Sequence, residues 1–406
     1  MKFVLLYQLC AYSVLLTLSK VYVSAKMELK LLSVLSINKF YVPDYNYLSP
    51  EFKVPKNLTY EYFTSNAVDV PNSVKLDLFG LGVSLRKTYD RFLGSLYTEP
   101  AMLMRTTEYP VSIIAGELIN AGLWPPVGPQ IWKEDLPWQP IPFEYKPATE
   151  DAVLLGTLCP TFKLETSRVL SERDDLTGAH VQLVSRLHDI GIMNISTLLD
   201  VPSLYFTLEN AVELNRTLPQ WASSVFPGQG LLNATLAAYE LLSQTKAQRQ
   251  LNGGALVKLL LQDFHEADER KISVFSGDDR LLAGVSRILG VPAKDVPAAG
   301  AALIFELHAD DDDERFVKIM YYTGGKDAEF FPYPVGCGIF CPMRNFTELV
   351  ADSLPGDGLA LCRGTNHSTD GPRGSSSVDL GVSNYFLLIP VLSVALPLAV
   401  PGSSRL

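Results

Sequence analysis

Three consecutive segments decide the fold: Gly253–Phe264 (GGALVKLLLQDF), Ile272–Phe275 (ISVF) and Leu281–Leu289 (LLAGVSRIL). Apolar residues recur at helical spacing in the first and third segments, whereas the second is a short apolar run typical of a buried strand. Strands separated by helices are the building pattern of an α/β sheet. These segments therefore predict an α/β domain.

The pattern continues on both sides of these segments. In chain order, the other predicted elements are a strand at Leu29–Leu35, a helix at Val74–Leu96, a strand at Ala101–Met104, a helix at Val111–Gly122 and an antiparallel strand pair at Ala301–His308 and Phe316–Tyr322. Between the predicted strands at Ala101–Met104 and Ile272–Phe275, the chain is mainly helical within about residues 155–245. We therefore predict a mixed sheet flanked by helices, with an inserted α-helical cap.

The composition limits the class of partner. The chain has 406 residues, a formal net charge of -10 and an isoelectric point near 5.1, and 47% of its residues are hydrophobic. Nucleic-acid binding requires basic patches that displace counterions from phosphates, and this charge balance argues against it. The hydrophobic content is sufficient for a well-buried core.

The amino terminus has the features of a secretory signal peptide at residues 1–25. Lys2 precedes a largely apolar stretch, and Val23-Ser24-Ala25 offers small residues for cleavage. A retained signal anchor is the alternative, but Lys20 interrupts the apolar run before it reaches membrane-spanning length.

The carboxyl terminus has the pattern of a glycolipid (GPI-type) anchor signal. A Gly/Ser-rich stalk at 364–384 contains the small residues Gly374 and Ser375, and a hydrophobic segment follows at 385–406. The alternative is a transmembrane helix, but Pro390 and Pro397 break a stretch that is already short for a span. We expect anchoring at Gly374 or Ser375.

Sequons and cysteines between these ends agree with passage through the secretory pathway. The six Asn-x-Ser/Thr sequons are at Asn57, Asn194, Asn215, Asn233, Asn345 and Asn366. Once the signal peptide is removed, four cysteines remain, and an even count in an oxidising compartment suggests two disulfides. We expect Cys337–Cys341 and Cys159–Cys362. Zinc binding by the close pair is the alternative, but it lacks four well-spaced ligands.

A series of short motifs runs along the chain between residues 26 and 363. They are Arg86-Lys87-Thr88-Tyr89-Asp90-Arg91, Trp124-Pro125-Pro126, Ile131-Trp132, Trp138-Gln139-Pro140-Ile141-Pro142, Leu218-Pro219-Gln220-Trp221, Gly253-Gly254-Ala255-Leu256-Val257 and Pro334-Val335-Gly336-Cys337. In this order they resemble the histidine acid phosphatases of the lysosomal and prostatic type. The resemblance implies a phosphoglycerate-mutase-like sheet with a helical cap, and it implies dimerisation only by analogy.

Active members of that family form a phosphohistidine intermediate at an Arg-His-Gly-x-Arg motif after the first strand. Here the corresponding stretch is Ile37-Asn38-Lys39-Phe40-Tyr41. Asn38 takes the place of the nucleophile, and an amide nitrogen has no lone pair available for attack. Ile37 and Tyr41 take the places of two arginines that would neutralise the phosphoryl group.

Two further motifs of the family are also altered. Arg105 matches a phosphate-binding arginine, but the Asp-x-Asp-Arg pattern after it has become Glu108-Tyr109-Pro110-Val111. Active relatives have His-Asp where this chain has Asp278-Asp279, so Asp278 replaces a phosphate-binding histidine and Asp279 is the remnant of the acid. Neighbouring carboxylates repel a phosphate dianion, and one of the two is expected to be partly protonated.

We therefore expect a catalytically inactive member of the family, a pseudophosphatase that binds an unidentified small-molecule or protein ligand without cofactor or metal. Its expected location is the outer face of the plasma membrane or a lysosomal membrane. An active acid phosphatase is the alternative, and it requires Asp278 or Asp279 as a substitute nucleophile. A third hypothesis is a different hydrolase, for example one acting on sugars, built on the same two aspartates.

Overall fold

The computed structural model describes residues 27–38, 70–172, 179–189, 195, 197–213, 217–218, 220–266, 269–291 and 293–364. The signal peptide, the anchor segment, Lys39, Tyr41, Gly374 and Ser375 lie outside the described residues, as does the stalk beyond Gly364.

The first strand, Glu28–Ile37 (β1), forms the middle of the sheet. Every residue from Leu31 to Ile37 is buried, because β1 has a strand on each side and helices on both faces. A strand in this position is a nearly continuous apolar run rather than an alternating one, which explains why its sequence predicts a buried strand.

The other strands and the helices follow in chain order. They are α1 (Asn72–Leu93), β2 (Met102–Arg105), α2 (Pro110–Leu123), α3 (Pro160–Glu172), α4 (Ala179–Asp189), α5 (Val201–Glu213), α6 (Gln229–Leu241), α7 (Lys246–Arg249), α8 (Ala255–Glu266), β3 (Ile272–Gly277), α9 (Asp279–Ile288), β4 (Ala302–Ala309), β5 (Arg315–Tyr322), β6 (Phe330–Pro332), β7 (Phe340–Pro342), α10 (Met343–Val350) and α11 (Gly358–Arg363).

The sheet is mixed, as predicted. Its order within the described residues is β2-β3-β1-β4-β5-β6, and β7 also pairs with β5. Strands β1, β2 and β3 are parallel, whereas β4 and β5 are antiparallel to their neighbours. The parallel strands therefore place their carboxyl ends at one edge of the sheet.

Helices cover both faces of the sheet and bury two apolar clusters. On one face, Leu81 and Leu85 of α1 and Ile119 of α2 pack with Leu32 and Val34 of β1. On the other face, helices α8, α9 and α10 pack against the alternate residues of β1 and β3. This α/β/α layering confirms the predicted fold class.

Helices α3 to α6 lie in the chain between β2 and β3 and have an apolar core of their own. Val169 of α3, Leu187 of α4, Leu204 of α5 and Leu231 of α6 are among the buried residues of that core. We call this group of helices the helical cap. A separate core allows the cap to be inserted between two strands without interrupting the sheet.

Among the details that differ from the prediction are one helix start and two short strands. Helix α8 begins at Ala255 rather than at Gly253, because Gly253 has a φ of +108° within a π-helical turn, Gln250–Gly254. That conformation is accessible to glycine and strained for other residues. The short edge strands β6 and β7 were not predicted, since three residues with a terminal proline give no detectable periodicity.

Both predicted disulfides are present. Cys159–Cys362 ties the amino-terminal end of α3 to α11, and Cys337–Cys341 closes the turn that leads into β7. Two of the predicted glycosylation sites, Asn233 and Asn345, lie exposed on helices α6 and α10. The other four sequons lie outside the described residues, so all six stay predictions.

Within the described ranges, every helix is too short or too polar to traverse a lipid bilayer.

Candidate functional site

The carboxyl ends of the three parallel strands bring the predicted site residues to one edge of the sheet. Asn38 follows β1, Arg105 is the last residue of β2, and Asp278 follows β3. Ile37 lies opposite Gly277, so β1 and β3 end together, whereas β2 ends two residues earlier, with Arg105 opposite Phe275. The backbone N–H of Asn38 donates to the Gly277 carbonyl oxygen at 3.1 Å.

Asn38 is partly exposed at this edge, whereas Ile37 before it is fully buried. The Ile37 side chain belongs to the apolar cluster beneath the sheet, together with Leu35 and Phe275. The first position of the altered motif therefore contributes to packing and adds no positive charge to the edge.

Arg105 is buried and bound to a carboxylate that the sequence motifs did not include. Its Nη2 donates to Asp151 Oδ1 at 2.8 Å, and the same oxygen accepts from the N–H groups of Val153 and Leu154. The side chain of Asp151 is fully buried. Arg105 Nε and Asp151 Oδ2 have no hydrogen-bond partner within the described part of the chain. The arginine that matches a phosphate ligand is therefore already neutralised.

The altered segment after Arg105 forms the start of α2. Pro110 is its first residue, a position where the missing N–H of proline costs no hydrogen bond. Ser112 Oγ donates to the Ser276 carbonyl oxygen at 2.9 Å and so fixes α2 to the end of β3. Glu108 is exposed, and its Oε1 accepts from the N–H of Ala148. These contacts are structural and leave no cation in this segment.

Asp278 caps helix α9 and pairs with the arginine two residues later. Its Oδ1 accepts from the N–H of Leu281 at 2.8 Å, as expected of an N-cap aspartate. Its Oδ2 accepts from Arg280 Nε at 2.9 Å and from Nη2 at 2.7 Å. The helix start and the guanidinium both stabilise the negative charge of Asp278.

Asp279 is buried at the first position of α9 and contacts the helical cap. Its Oδ2 accepts from the hydroxyl of Tyr239, on α6, at 2.5 Å. Burial, together with the nearby charge of Asp278, raises the pKa of Asp279 from its ordinary value of 3.8 to about 6. Burial also raises the pKa of Tyr239 well above its ordinary value, so the tyrosine stays a donor.

This pKa predicts a pH-dependent stability. The folded protein binds the Asp279 proton more tightly than the unfolded chain does, so the free energy of unfolding falls as pH rises from about 4 to about 6. Between about pH 4.5 and pH 7.5 the Asp279 contribution is about 2 kcal/mol. Asparagine is a neutral isostere of aspartate, so we expect Asp279→Asn to lack this contribution. The measurement is the free energy of unfolding in denaturant at the two pH values, for the variant and the unaltered protein. Equal pH dependence of the variant and the unaltered protein would contradict the assignment.

The sequence motifs placed the principal side chains at this edge but missed the partners that set their charge. The altered motifs contain the charged residues Arg105, Lys39, Asp278 and Asp279. The motif comparison assigned no role to Arg280 or Asp151, and each of these is paired in the structure. The pairing of Arg280 could have been predicted locally, because it lies two residues after its partner Asp278, the N-cap of a helix. The local sequence gives no sign that Asp151 or Tyr239 belongs to the site.

The described residues contain no cluster of three or more histidine, cysteine or acidic side chains placed to bind a metal ion. Among the described residues, this edge brings together the amide of Asn38, the Arg105–Asp151 and Arg280–Asp278 pairs and the buried carboxyl of Asp279, whose pKa is raised. A buried carboxyl of this kind can hold or release a proton near pH 6.

Comparisons with known proteins identify relatives over most of the chain, although no protein-family model matches it. Venom acid phosphatase of Apis mellifera is 31% identical over 351 residues, which are 84% of this chain and 89% of the relative. Lysosomal acid phosphatase of Xenopus laevis is 28% identical over 327 residues, which are 77% of this chain and 74% of the relative.

Among solved structures, the phytase of Klebsiella sp ASR1 is similar, with a TM-score of 0.61 and 14% identity, over 82% of this chain and 99% of that one. At that identity the likeness shows the fold, whereas the venom enzyme shows the family. The strand order, the inserted helical cap and these similarities agree, and the chain belongs to the histidine acid phosphatase family.

Proposed function

We propose that this protein is a pseudophosphatase, a family member that keeps the cleft of its relatives, at the sheet edge of Asn38, Arg105 and Asp278, for binding and has lost phosphate transfer. The observation that carries the proposal is that both arginines described at the sheet edge are bound to carboxylates. Arg105 pairs with Asp151 at 2.8 Å, and Arg280 pairs with Asp278 at 2.7 Å. A phosphate dianion would have to compete with an aspartate for each of them, with the fully buried Asp151 for Arg105 and with the partly exposed Asp278 for Arg280.

The residue at the position of the nucleophile supports the same proposal. Asn38 follows β1, where the resemblance places the attacking histidine, and its amide cannot form a phosphoenzyme. Asp279 is a poor substitute for the attacking histidine, because it is buried and its Oδ2 accepts a hydrogen bond from Tyr239. The charges of Arg105, Asp151, Arg280, Asp278 and Asp279 sum to zero when Asp279 is protonated and to −1 when it is ionised, and the exposed Glu108 adds a further negative charge. The cleft therefore suits a neutral or cationic ligand better than a phosphate ester.

The names of the relatives favour an active acid phosphatase as the second candidate. The two candidates differ in anion binding. We expect phosphate and tartrate to produce no binding heat with this protein in calorimetry at mildly acidic pH, with the Apis mellifera venom enzyme as positive control. Binding as tight as that of the venom enzyme would overturn the proposal.

The Asp151→Asn variant tests the pairing itself. Removing the carboxylate leaves Arg105 buried without a counter-ion, which we expect to cost about 3 kcal/mol of stability. Added phosphate or sulfate should restore part of the lost melting temperature, because an anion can replace Asp151 beside the guanidinium. The unaltered protein should show no such gain at the same ionic strength.

Asp352→Asn is the matched control, since Asp352 is an exposed partner of Lys246 and Arg249 and lies outside the altered motifs. Its melting temperature should not respond to phosphate. A phosphate response in the unaltered protein equal to that of Asp151→Asn would show that the pair does not block anions.

We also propose that the protein is a glycoprotein of the secretory pathway, held at the cell surface or in a lysosomal membrane. The predicted signal peptide, the sequons, the disulfides and the lysosomal relative support this location. If the tether is a glycolipid at Gly374 or Ser375, phosphatidylinositol-specific lipase should release the protein from intact cells. Retention after treatment, with release of a known glycolipid-anchored control, would favour a transmembrane helix.

A further inference from the structure

The helical cap and the α/β layers meet at helices α6 and α9. Phe206 of α5 and Tyr239 of α6 pack there with Ala283 of α9 and with Val296 in the loop after it, and all four are buried. This cluster is small compared with the cores on its two sides, so a modest local change is sufficient to loosen it.

Two polar contacts cross the same interface. The Tyr239 hydroxyl donates to Asp279 Oδ2 at 2.5 Å, and both groups are buried. Beside it, Arg287 Nε lies 3.5 Å from Glu240 Oε2, and both of these side chains are exposed. The first contact is therefore shielded from solvent, whereas the second is screened by it.

A small cavity lies directly against the buried contact. Its lining includes Tyr239, Asp279 and Arg280, and its other lining residues are apolar: Leu199, Pro202, Phe206, Ala238 and Leu242. Its volume is about 30 Å³, enough for about two water molecules. Water that enters this space reaches the Asp279 carboxyl without unfolding the cap.

The charged and titratable groups that face Asp279 are few. Asp278 and Arg280 lie on its own helix and pair with each other, and Tyr239 faces it from α6. Farther along the interface are Tyr205 and Glu209 of α5 and Asp295 of the loop after α9. Burial and the nearby charge of Asp278 raise the pKa of Asp279 to about 6.

We propose that the Tyr239–Asp279 contact is a pH-operated latch that holds the helical cap against helix α9 in acid and loosens near neutral pH. When Asp279 is protonated, a neutral pair occupies the dry interface at little cost. When the carboxyl ionises, the buried charge favours an opened interface in which water from the cavity solvates it. The latch does not depend on whether the cleft binds phosphate.

Linkage gives the size of the effect. If opening returns the Asp279 pKa from about 6 to its ordinary value near 4, the opening equilibrium rises about tenfold between about pH 5 and pH 7.5. We therefore expect amide hydrogen exchange in Gln229–Leu241 and Asp279–Ile288, corrected for intrinsic rates, to lose about tenfold in protection over this range. Amide hydrogen exchange within helices α1 and α2, which cover the sheet, should not change over this pH range.

Two variants of the full-length protein isolate Asp279. In Asp279→Asn the protection of both helices should be the same at the two pH values. Glu240→Gln is the matched control, because it removes a titratable group from the same interface, and it should keep the tenfold change. Unchanged protection in the unaltered protein, or a tenfold change that persists in Asp279→Asn, would overturn the latch.

Discussion

The purified protein is expected to hydrolyse a chromogenic phosphate ester at least about 10⁵-fold more slowly than the venom acid phosphatase of Apis mellifera, at mildly acidic pH. Removing the nucleophile from an enzyme that works through a covalent intermediate costs a factor of this order or more. The two paired arginines add to the loss, because a guanidinium bound to a carboxylate stabilises a transferring phosphoryl group poorly.

Asn38→His extends this prediction. The variant supplies an imidazole at the end of β1, but Ile37 remains in the apolar core and Arg105 remains bound to Asp151. We therefore expect its turnover to stay at background. Turnover within about a hundredfold of the venom enzyme, in either the unaltered protein or Asn38→His, would contradict the pseudophosphatase proposal. A preparation of Asn38→Ala controls for contaminating phosphatase.

The second large effect, a loss of stability, is expected for a substitution where helices α1 and α2 cross. A Cβ atom on Gly82 would lie 2.2 Å from the Ile119 carbonyl oxygen, and one on Gly122 would lie 2.3 Å from the Phe79 carbonyl oxygen. Both contacts involve backbone atoms, so the helices must separate to accept any side chain. We expect Gly82→Ala to lower the free energy of unfolding by about 3–5 kcal/mol, measured with denaturant.

Gly80 provides the control on the same helix. A Cβ atom there meets nothing within 4 Å. Gly80→Ala should therefore raise stability by about 0.5–1 kcal/mol, because alanine has less backbone freedom to lose and a higher helix propensity. If Gly82→Ala changed the free energy of unfolding no more than Gly80→Ala does, that result would contradict the close crossing of α1 and α2.

Much of the fold followed from the sequence because the signals are local. Apolar periodicity identified β1, β2, β3 and the helices between them, since burial against a sheet requires that spacing. The start of α8 was the exception: Gly253 belongs to a helical pattern in sequence, but its positive φ is imposed by close contact with Gly284 and Val285 of α9. Only the packed chain contains that contact.

For the site, the sequence motifs predict which residue types stand at the ends of β1, β2 and β3, because motif order and strand topology together fix those positions. The motifs do not predict the charge state of those residues. Asp151 is 46 residues from Arg105, and Tyr239 is 40 residues from Asp279. Which buried groups come within hydrogen-bond distance depends on how the cap and the sheet pack, and local sequence patterns do not encode that. Tertiary packing therefore determines that Arg105 is neutralised and that Asp279 is held by the cap, whereas the Arg280–Asp278 pair is local in sequence.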